Sequence, residues 1–173
     1  MIKAQNLVAG QWQDNLKAST FYTLNPITNK PLPTQFQEAS SSQIHDALIK
    51  ASTIFESYAS TSFKVRVEFL QSIQKELNKS SNNILKTYQE ESALPSPRAE
   101  GEFQRTIDQI QRYIELLEEG TFIQPKINTS GPDLRKILYP IGPIAVFGAS
   151  NFPLAFSTAG GDTISVLASG CPL

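Results

Sequence analysis

Cysteine and histidine are almost missing from this chain: 173 residues contain one of each, Cys171 and His45. A lone cysteine excludes an intramolecular disulfide, and with a lone histidine it excludes a multi-cysteine or Cys/His metal centre. Charge is sparse as well, at 18% of residues, with 15 Lys and Arg against 16 Asp and Glu for a net −1. With no surplus of cations there is no electrostatic footprint for nucleic acid or another polyphosphate partner. The opening residues, Met1-Ile2-Lys3-Ala4-Gln5, have no apolar run of the kind a secretory signal needs, so the expected compartment is cytoplasmic. The length suits one ordinary domain or a piece of a larger one.

The scarcity of charge is concentrated at one end. Of the 31 Asp, Glu, Lys and Arg residues, 30 lie in residues 1–136, and the last 37 residues carry only Asp162. From Ile137 to Gly161, 25 consecutive positions have no formal charge. Such a stretch is core, membrane, or core that lacks its other half. It is long enough to span a bilayer, but Pro140, Gly142, Pro143, Gly148, Asn151 and Pro153 make it a poor spanning helix.

The first 38 residues predict hairpins. Gly10 separates two short apolar runs, and Asn25-Pro26 and Thr28-Asn29 are turn signals, because proline fixes φ and asparagine tolerates the left-handed region. Pro31 and Pro33 confine Leu32 to an edge or a loop. Four helices follow. Ser41 or Ser42 is the expected cap of the first, with Ile44, Ala47, Leu48, Ala51, Ile54, Phe55 and Tyr58 as its apolar stripe. Thr61 or Ser62 opens the second, which turns Val67, Leu70, Ile73 and Leu77 inward, and Ser81 or Asn82 opens a short third. Ser96 is the expected cap of the fourth, with Pro97 at its first position, Phe103, Thr106, Ile107, Ile110, Ile114 and Leu117 buried, and Gly120 closing it.

Beyond Gly120 the texture changes. Residues 121–133 read as an extended connection and Leu134–Tyr139 as β-rich. Ile144-Ala145-Val146-Phe147 predicts a strand buried on both faces, as in a parallel sheet. A tight loop and a helix over Leu154–Ser169 should follow, which makes the opening of a βαβ unit. Parallel strands need neighbours supplied by crossover connections. After Gly170 only three residues remain, so the expectation is an N-terminal portion of a larger α/β protein.

The run from Pro140 to Phe156, containing Phe147-Gly148-Ala149-Ser150-Asn151-Phe152-Pro153, resembles the first Rossmann strand and loop of the aldehyde dehydrogenase superfamily. Gly160-Gly161-Asp162-Thr163 narrows the likeness to the branch of NADP-dependent fatty-aldehyde and 2-oxoglutarate-semialdehyde dehydrogenases. Gly10-Gln11-Trp12, Phe21 to Asn29, and Glu100 to Thr106 agree. The resemblance covers essentially the whole chain and implies an α/β fold, the truncated N-terminal part of the aldehyde dehydrogenase fold. In that division, 1–121 holds hairpins and helices, 122–139 is an extended bridging arm, and 140–173 is the first strand-loop-helix of a Rossmann-like core.

The resemblance also implies roles. Asn151 is the amide that forms half of an oxyanion hole, where a tetrahedral thiohemiacetal needs a fixed neutral donor. Gly148, Ala149 and Ser150 line the adenine-ribose side of NADP or NAD in the intact enzyme. Spacing alone favours Asn151 as the cap of the next helix, a reading that the resemblance reverses, and Gly148 could be a plain tight turn. No G-x-G-x-x-G follows the strand, so the ordinary dinucleotide fingerprint is absent. The family's nucleophilic Cys, general-base Glu and ribose-binding Lys are expected beyond Leu173, so this chain alone should be inactive and retain no cofactor.

Cys171 follows Gly170 at the start of a second strand, does not match the family nucleophile, and reads as a small buried hydrophobe. His45 has no constellation around it and is assigned no role. Glu100 and Glu102, two apart on a helix, do not share a face and read as solvated surface. The intact enzyme is expected to oxidise an aldehyde, 2-oxoglutarate semialdehyde or a fatty aldehyde, as a homo-oligomer with no metal, nucleic-acid or membrane partner. The alternatives are a non-catalytic remnant that only binds partners and, less well supported, a membrane-associated protein.

Overall fold

The computed structural model describes residues 4–15 and 17–173; the leader reading on Met1 to Lys3 therefore falls outside the described residues. Strands β1 (Asn6–Val8) and β2 (Gln11–Gln13) form the first antiparallel hairpin. Its two-residue turn, Ala9-Gly10, has φ of 51° and 83°. Both values are positive, as in the turn whose twist matches that of a hairpin's strands. Strands β3 (Thr20–Asn25) and β4 (Lys30–Gln37) form the second. Asn25 Oδ1 accepts hydrogen bonds from the N–H groups of Ile27 and Thr28 at 2.9 and 3.1 Å, and Asn29 sits at φ 53°. In a two-stranded ribbon every strand is an edge, which is why β4 tolerates both Pro31 and Pro33.

Helix α1 (Ser41–Ala59) is capped by Ser40, one residue before the expected position. The reason is reciprocal bonding. Gln43 N–H donates to Ser40 Oγ at 3.1 Å while Ser40 N–H donates to Gln43 Oε1 at 2.9 Å, and only Ser40 has a glutamine three residues on. Ser62 caps α2 (Phe63–Lys79) as expected; α3 (Ser81–Ser92) follows, with Ser80 at its N-cap. Helix α4 spans Ser96–Glu119 with Pro95, not Ser96, at its N-cap. Pro97 then falls at the second helical position, where its missing N–H would also have had no partner. Gly120, at φ 75°, ends α4.

The core forms where α2, α4 and α5 (Gly161–Ser169) meet. Leu70, Ile110, Ile114, Leu117 and Ile164 are each at most 2% exposed, with Val67 and Ala168 beside them. Removing each such side chain from water contributes about 1.5–3 kcal/mol. Phe63 and Phe122 close one end, ring centres 5.2 Å apart.

Three expectations need correction. The α1 stripe is largely uncovered: Ile44 and Leu48 are 52% and 58% exposed, and only Gln43, Ala51 and Ala59 of α1 are buried. Residues 144–147 form no strand. Their one backbone bond to the returning chain, Ile144 N–H to Pro172 C=O at 3.0 Å, does not make a ladder. Phe147 is 87% exposed. The helix expected from Leu154 starts only at Gly161, because N–H groups that an α-helix would aim four residues back bond elsewhere, Gly160 to Ser157 C=O and Gly161 to Ala155 C=O. Gly160 itself is pinned, since a Cβ there would overlap the Ala155 carbonyl. β5 (Lys126–Ile127) and β6 (Arg135–Lys136) make a small antiparallel pair in the connection that follows α4. No helix among the described residues is long and apolar enough to cross a membrane.

Candidate active site

The segment from Gly148 to Phe156 is a looped turn tied to itself and to α4. Ala149 N–H donates to Phe156 C=O at 2.7 Å, and Phe156 N–H donates to Phe152 C=O at 3.1 Å. Gly148 fits tightly: a Cβ there would lie 3.3 Å from Ser157 Oγ and 3.4 Å from Ser157 Cα. Asn151 is exposed at the tip of the turn. The next helix begins ten residues later with Gly160 as its N-cap and no side-chain capping bond. The helix-cap alternative for Asn151 is thereby removed.

What holds this loop is Glu102, and here the reading of Glu102 as solvated surface is wrong. Its residue is 3% exposed. Oε1 accepts the N–H of Leu154 at 2.8 Å and of Ala155 at 3.2 Å, and Oε2 accepts the Tyr88 hydroxyl at 2.8 Å. A carboxylate from the middle of α4 thus anchors the residues three and four beyond Asn151. Burying it is tolerated because its oxygens are satisfied by fixed donors. A signal was available: Glu102 lies three residues after Ala99 and four before Thr106, inside the buried stripe of α4. Glu100, by contrast, is exposed and accepts only from Ser96 Oγ. Burial raises the Tyr88 hydroxyl above its ordinary value of 10.0, and the hydrogen bond and charge of Glu102 act in the same direction.

A second missed residue is Arg66, 4% exposed on α2. Nη2 donates to Ala59 C=O at 2.7 Å, Nη1 to Ala168 C=O at 3.3 Å, and Nε to Thr61 Oγ1 at 3.0 Å. It therefore serves the carbonyl ends of α1 and α5, where a cation is favoured by the helix dipole. Burial lowers its pKa from the ordinary value. Gly170 borders it at φ 88°, and any Cβ there would strike the guanidinium. Beside them Tyr58 donates its hydroxyl to Leu167 C=O at 2.9 Å; burial raises its pKa while Arg66 opposes the shift.

Cys171 is buried, at 1% exposed. His45 is exposed on α1. Among the described residues, no group of three or more His, Cys, Asp or Glu side chains could hold a metal ion. Beside Ser150, Pro153 and Leu154 opens a cleft of about 670 Å³, with Leu24, Ile84 and Tyr88 on the opposite wall. That volume is ordinary for a small-molecule site.

The profile of the Aldehyde dehydrogenase family matches residues 12–173. The chain belongs to the aldehyde dehydrogenase family. It is 36% identical over 162 residues to the alpha-ketoglutaric semialdehyde dehydrogenase of Acinetobacter baylyi, a match covering 89% of this chain and 31% of that protein. It is 34% identical over 165 residues to alpha-ketoglutaric semialdehyde dehydrogenase 2 of Azospirillum brasilense, covering 90% and 31%. Among solved structures, aldehyde dehydrogenase 21 of Physcomitrella patens, in complex with the reaction product succinate, superposes with a TM-score of 0.83 at 26% identity, over 97% of this chain and 35% of that one. The chain thus spans about a third of the length of the relatives it matches, and its fold is the truncated N-terminal part of the aldehyde dehydrogenase fold.

For a dinucleotide, the described residues fit one edge. Gly148 and Ser150 are exposed and small, the N–H of Ala149 is already spent on Phe156, and no cation lies between Ile137 and Gly161 to meet a phosphate.

Proposed function

We propose that this chain is the N-terminal third of an NAD(P)-dependent aldehyde dehydrogenase, with Asn151 as a donor to the oxyanion of the reacting aldehyde. The observation that carries the reading is the exposed Asn151 amide, uncommitted to any helix, on a loop clamped from behind by the buried Glu102. A donor that is fixed before the reaction stabilises developing charge without reorganising. When the aldehyde carbonyl becomes tetrahedral, its oxygen gains charge, and the Asn151 side chain donates to it while Glu102 keeps the loop from yielding. The nicotinamide cofactor supplies the hydride acceptor when bound. Gly148, Ala149 and Ser150 offer a small, uncharged surface to its adenine-ribose side. The substrate is read as 2-oxoglutarate semialdehyde or a related aldehyde, by likeness to the two semialdehyde dehydrogenases.

The same reading divides the chain into hairpins and helices over 1–121, a bridging arm over 122–139, and the first part of the cofactor core over 140–173. Exposed Ile127 and Leu134 on the arm favour a homo-oligomeric enzyme; its proposed compartment is the cytoplasm. The test has two parts. Alone, the 173-residue chain should give no aldehyde-dependent reduction of NAD+ or NADP+. Joined to the C-terminal two thirds of the Acinetobacter relative, it should. Turnover by the lone chain that survives Cys171→Ala, or a folded hybrid with no turnover, contradicts the reading.

A further inference from the structure

Tyr88 lies near the C-terminal end of α3 and is 5% exposed. The end of the helix holds it in place. Ser92 Oγ donates to the Tyr88 C=O at 2.6 Å, Leu94 N–H donates to Ser92 Oγ at 3.1 Å, and Ala93 closes α3 at φ 58°. A buried tyrosine hydroxyl needs a hydrogen-bond partner. Here the partner is Glu102 Oε2, at 2.8 Å.

That partner has a second task. Its other oxygen, Oε1, accepts the N–H groups of Leu154 and Ala155. The two oxygens of a carboxylate are coplanar and turn together, so the bond at Oε2 sets the direction in which Oε1 is offered. The last torsion of a glutamate is otherwise broad. A competing pull exists: Arg98 Nη2 lies 3.7 Å from Oε2, on a side chain 44% exposed. Without the hydroxyl, Oε2 keeps only that half-solvated cation, and a carboxylate turned toward it withdraws Oε1 from the loop.

The loop carries such a shift to its tip. Ala149 N–H bonds to Phe156 C=O and Phe156 N–H to Phe152 C=O, so Asn151 lies inside a short ring of bonds that moves with Leu154 and Ala155. A misplacement of about 1 Å can cost on the order of 10²-fold in rate.

We propose that Tyr88 is a positioning residue for the reaction: through Glu102, its hydroxyl fixes the Asn151 loop in the orientation in which the amide meets the oxyanion. This rests on the reading of Asn151 as the oxyanion donor.

The test is a double-substitution cycle in the hybrid enzyme, read as kcat and KM per folded protein. Tyr88→Phe keeps the ring and removes only the hydroxyl. It should lower kcat roughly tenfold, with KM for aldehyde and for cofactor changed by less than about twofold. On a Glu102→Leu background, Tyr88→Phe should lower kcat no further, because the hydroxyl acts only through the carboxylate. Glu102→Gln keeps an acceptor for Leu154 and Ala155 and an N–H for the Tyr88 oxygen, so it should recover most of the kcat lost in Glu102→Leu. In the 173-residue chain, Tyr88→Phe should speed amide exchange at Leu154 and Ala155 roughly tenfold more than at Ile114. Unchanged kcat in Tyr88→Phe, an equal further loss on the Glu102→Leu background, or a uniform rise in exchange overturns the proposal. Failure of the underlying reading looks different. A folded hybrid without turnover removes Asn151 as the donor and the proposal with it, whereas failure of the proposal alone leaves a hybrid that turns over at full rate with Tyr88→Phe.

Discussion

Two stretches of this chain are comparably apolar and end in opposite states. Where α2, α4 and α5 meet, Leu70, Ile110 and Ile164 are fully buried. Along residues 137–147, Ile137, Tyr139, Ile141 and Phe147 are 55%, 56%, 87% and 87% exposed. Hydrophobicity does not itself distinguish them. The first stretch meets helical faces within the chain, so its area leaves water. The second is tied to the rest of the described chain by two backbone hydrogen bonds, Leu138 N–H to Ile123 C=O and Ile144 N–H to Pro172 C=O, and by little covering surface. Apolar sequence becomes core only where a covering surface exists. A polar residue ties the packed region to the loop that follows the uncovered stretch: Glu102, on the same helix as Ile110, reaches across to Leu154 and Ala155.

Substitutions should separate the two regions by size of effect. Ile110→Ala should cost about 2–5 kcal/mol in urea unfolding, since it opens a cavity in the packed region; a loss below 1 kcal/mol would mean the core is loosely packed. Glu102→Leu should cost about 3 kcal/mol, because two backbone N–H groups and the Tyr88 hydroxyl lose their acceptor. Hydrogen exchange should accelerate at Leu154 and Ala155 in that variant while the amides around Ile114 stay protected. Uniform acceleration would deny Glu102 its local role.

Alkali tests the polar joint in another way. The folded pKa values of Tyr58 and Tyr88 are raised above the ordinary 10.0, chiefly by burial. The folded state therefore holds these protons more tightly than the unfolded state. Their contribution is fully present below pH 10 and is lost as the pH rises through the folded values. Tyr88→Phe should cost about 1–2 kcal/mol at neutral pH and flatten part of that alkaline decline. A decline identical to that of the unsubstituted chain would exclude Tyr88 from it. The smallest effect belongs to Phe147→Ser, expected to change stability by less than about 0.5 kcal/mol. It should nonetheless reduce ANS fluorescence and self-association, since exposed apolar surface promotes both. A large loss of stability would place Phe147 in the core and erase the contrast.

How far the sequence alone carries depends on how local the cause is. Gly120, the Ser62 cap and the stripe Phe103, Thr106, Ile110, Ile114, Leu117 were legible because helical period and capping act within a few residues. The strand at 144–147 failed because a strand exists only in a ladder, and a partner cannot be read from the segment itself. The helix start failed because the N–H groups of Gly160 and Gly161 bond to Ser157 and Ala155 instead of to the carbonyls four residues back. Residue type misled at Glu102 and Arg66, both ordinarily surface residues. Only the phase of Glu102 in the α4 stripe hinted otherwise. Asn151 was singled out through resemblance alone, and its separation from the next helix emerged only from the fold.

The central claim is that Asn151 is a prepositioned oxyanion donor, and steady-state kinetics of Asn151→Ala in the hybrid enzyme tests it most directly. The account predicts a fall in kcat of roughly 10²–10³ with little change in cofactor affinity, as expected for loss of one such donor. A kcat within a few-fold of the unsubstituted hybrid would contradict it.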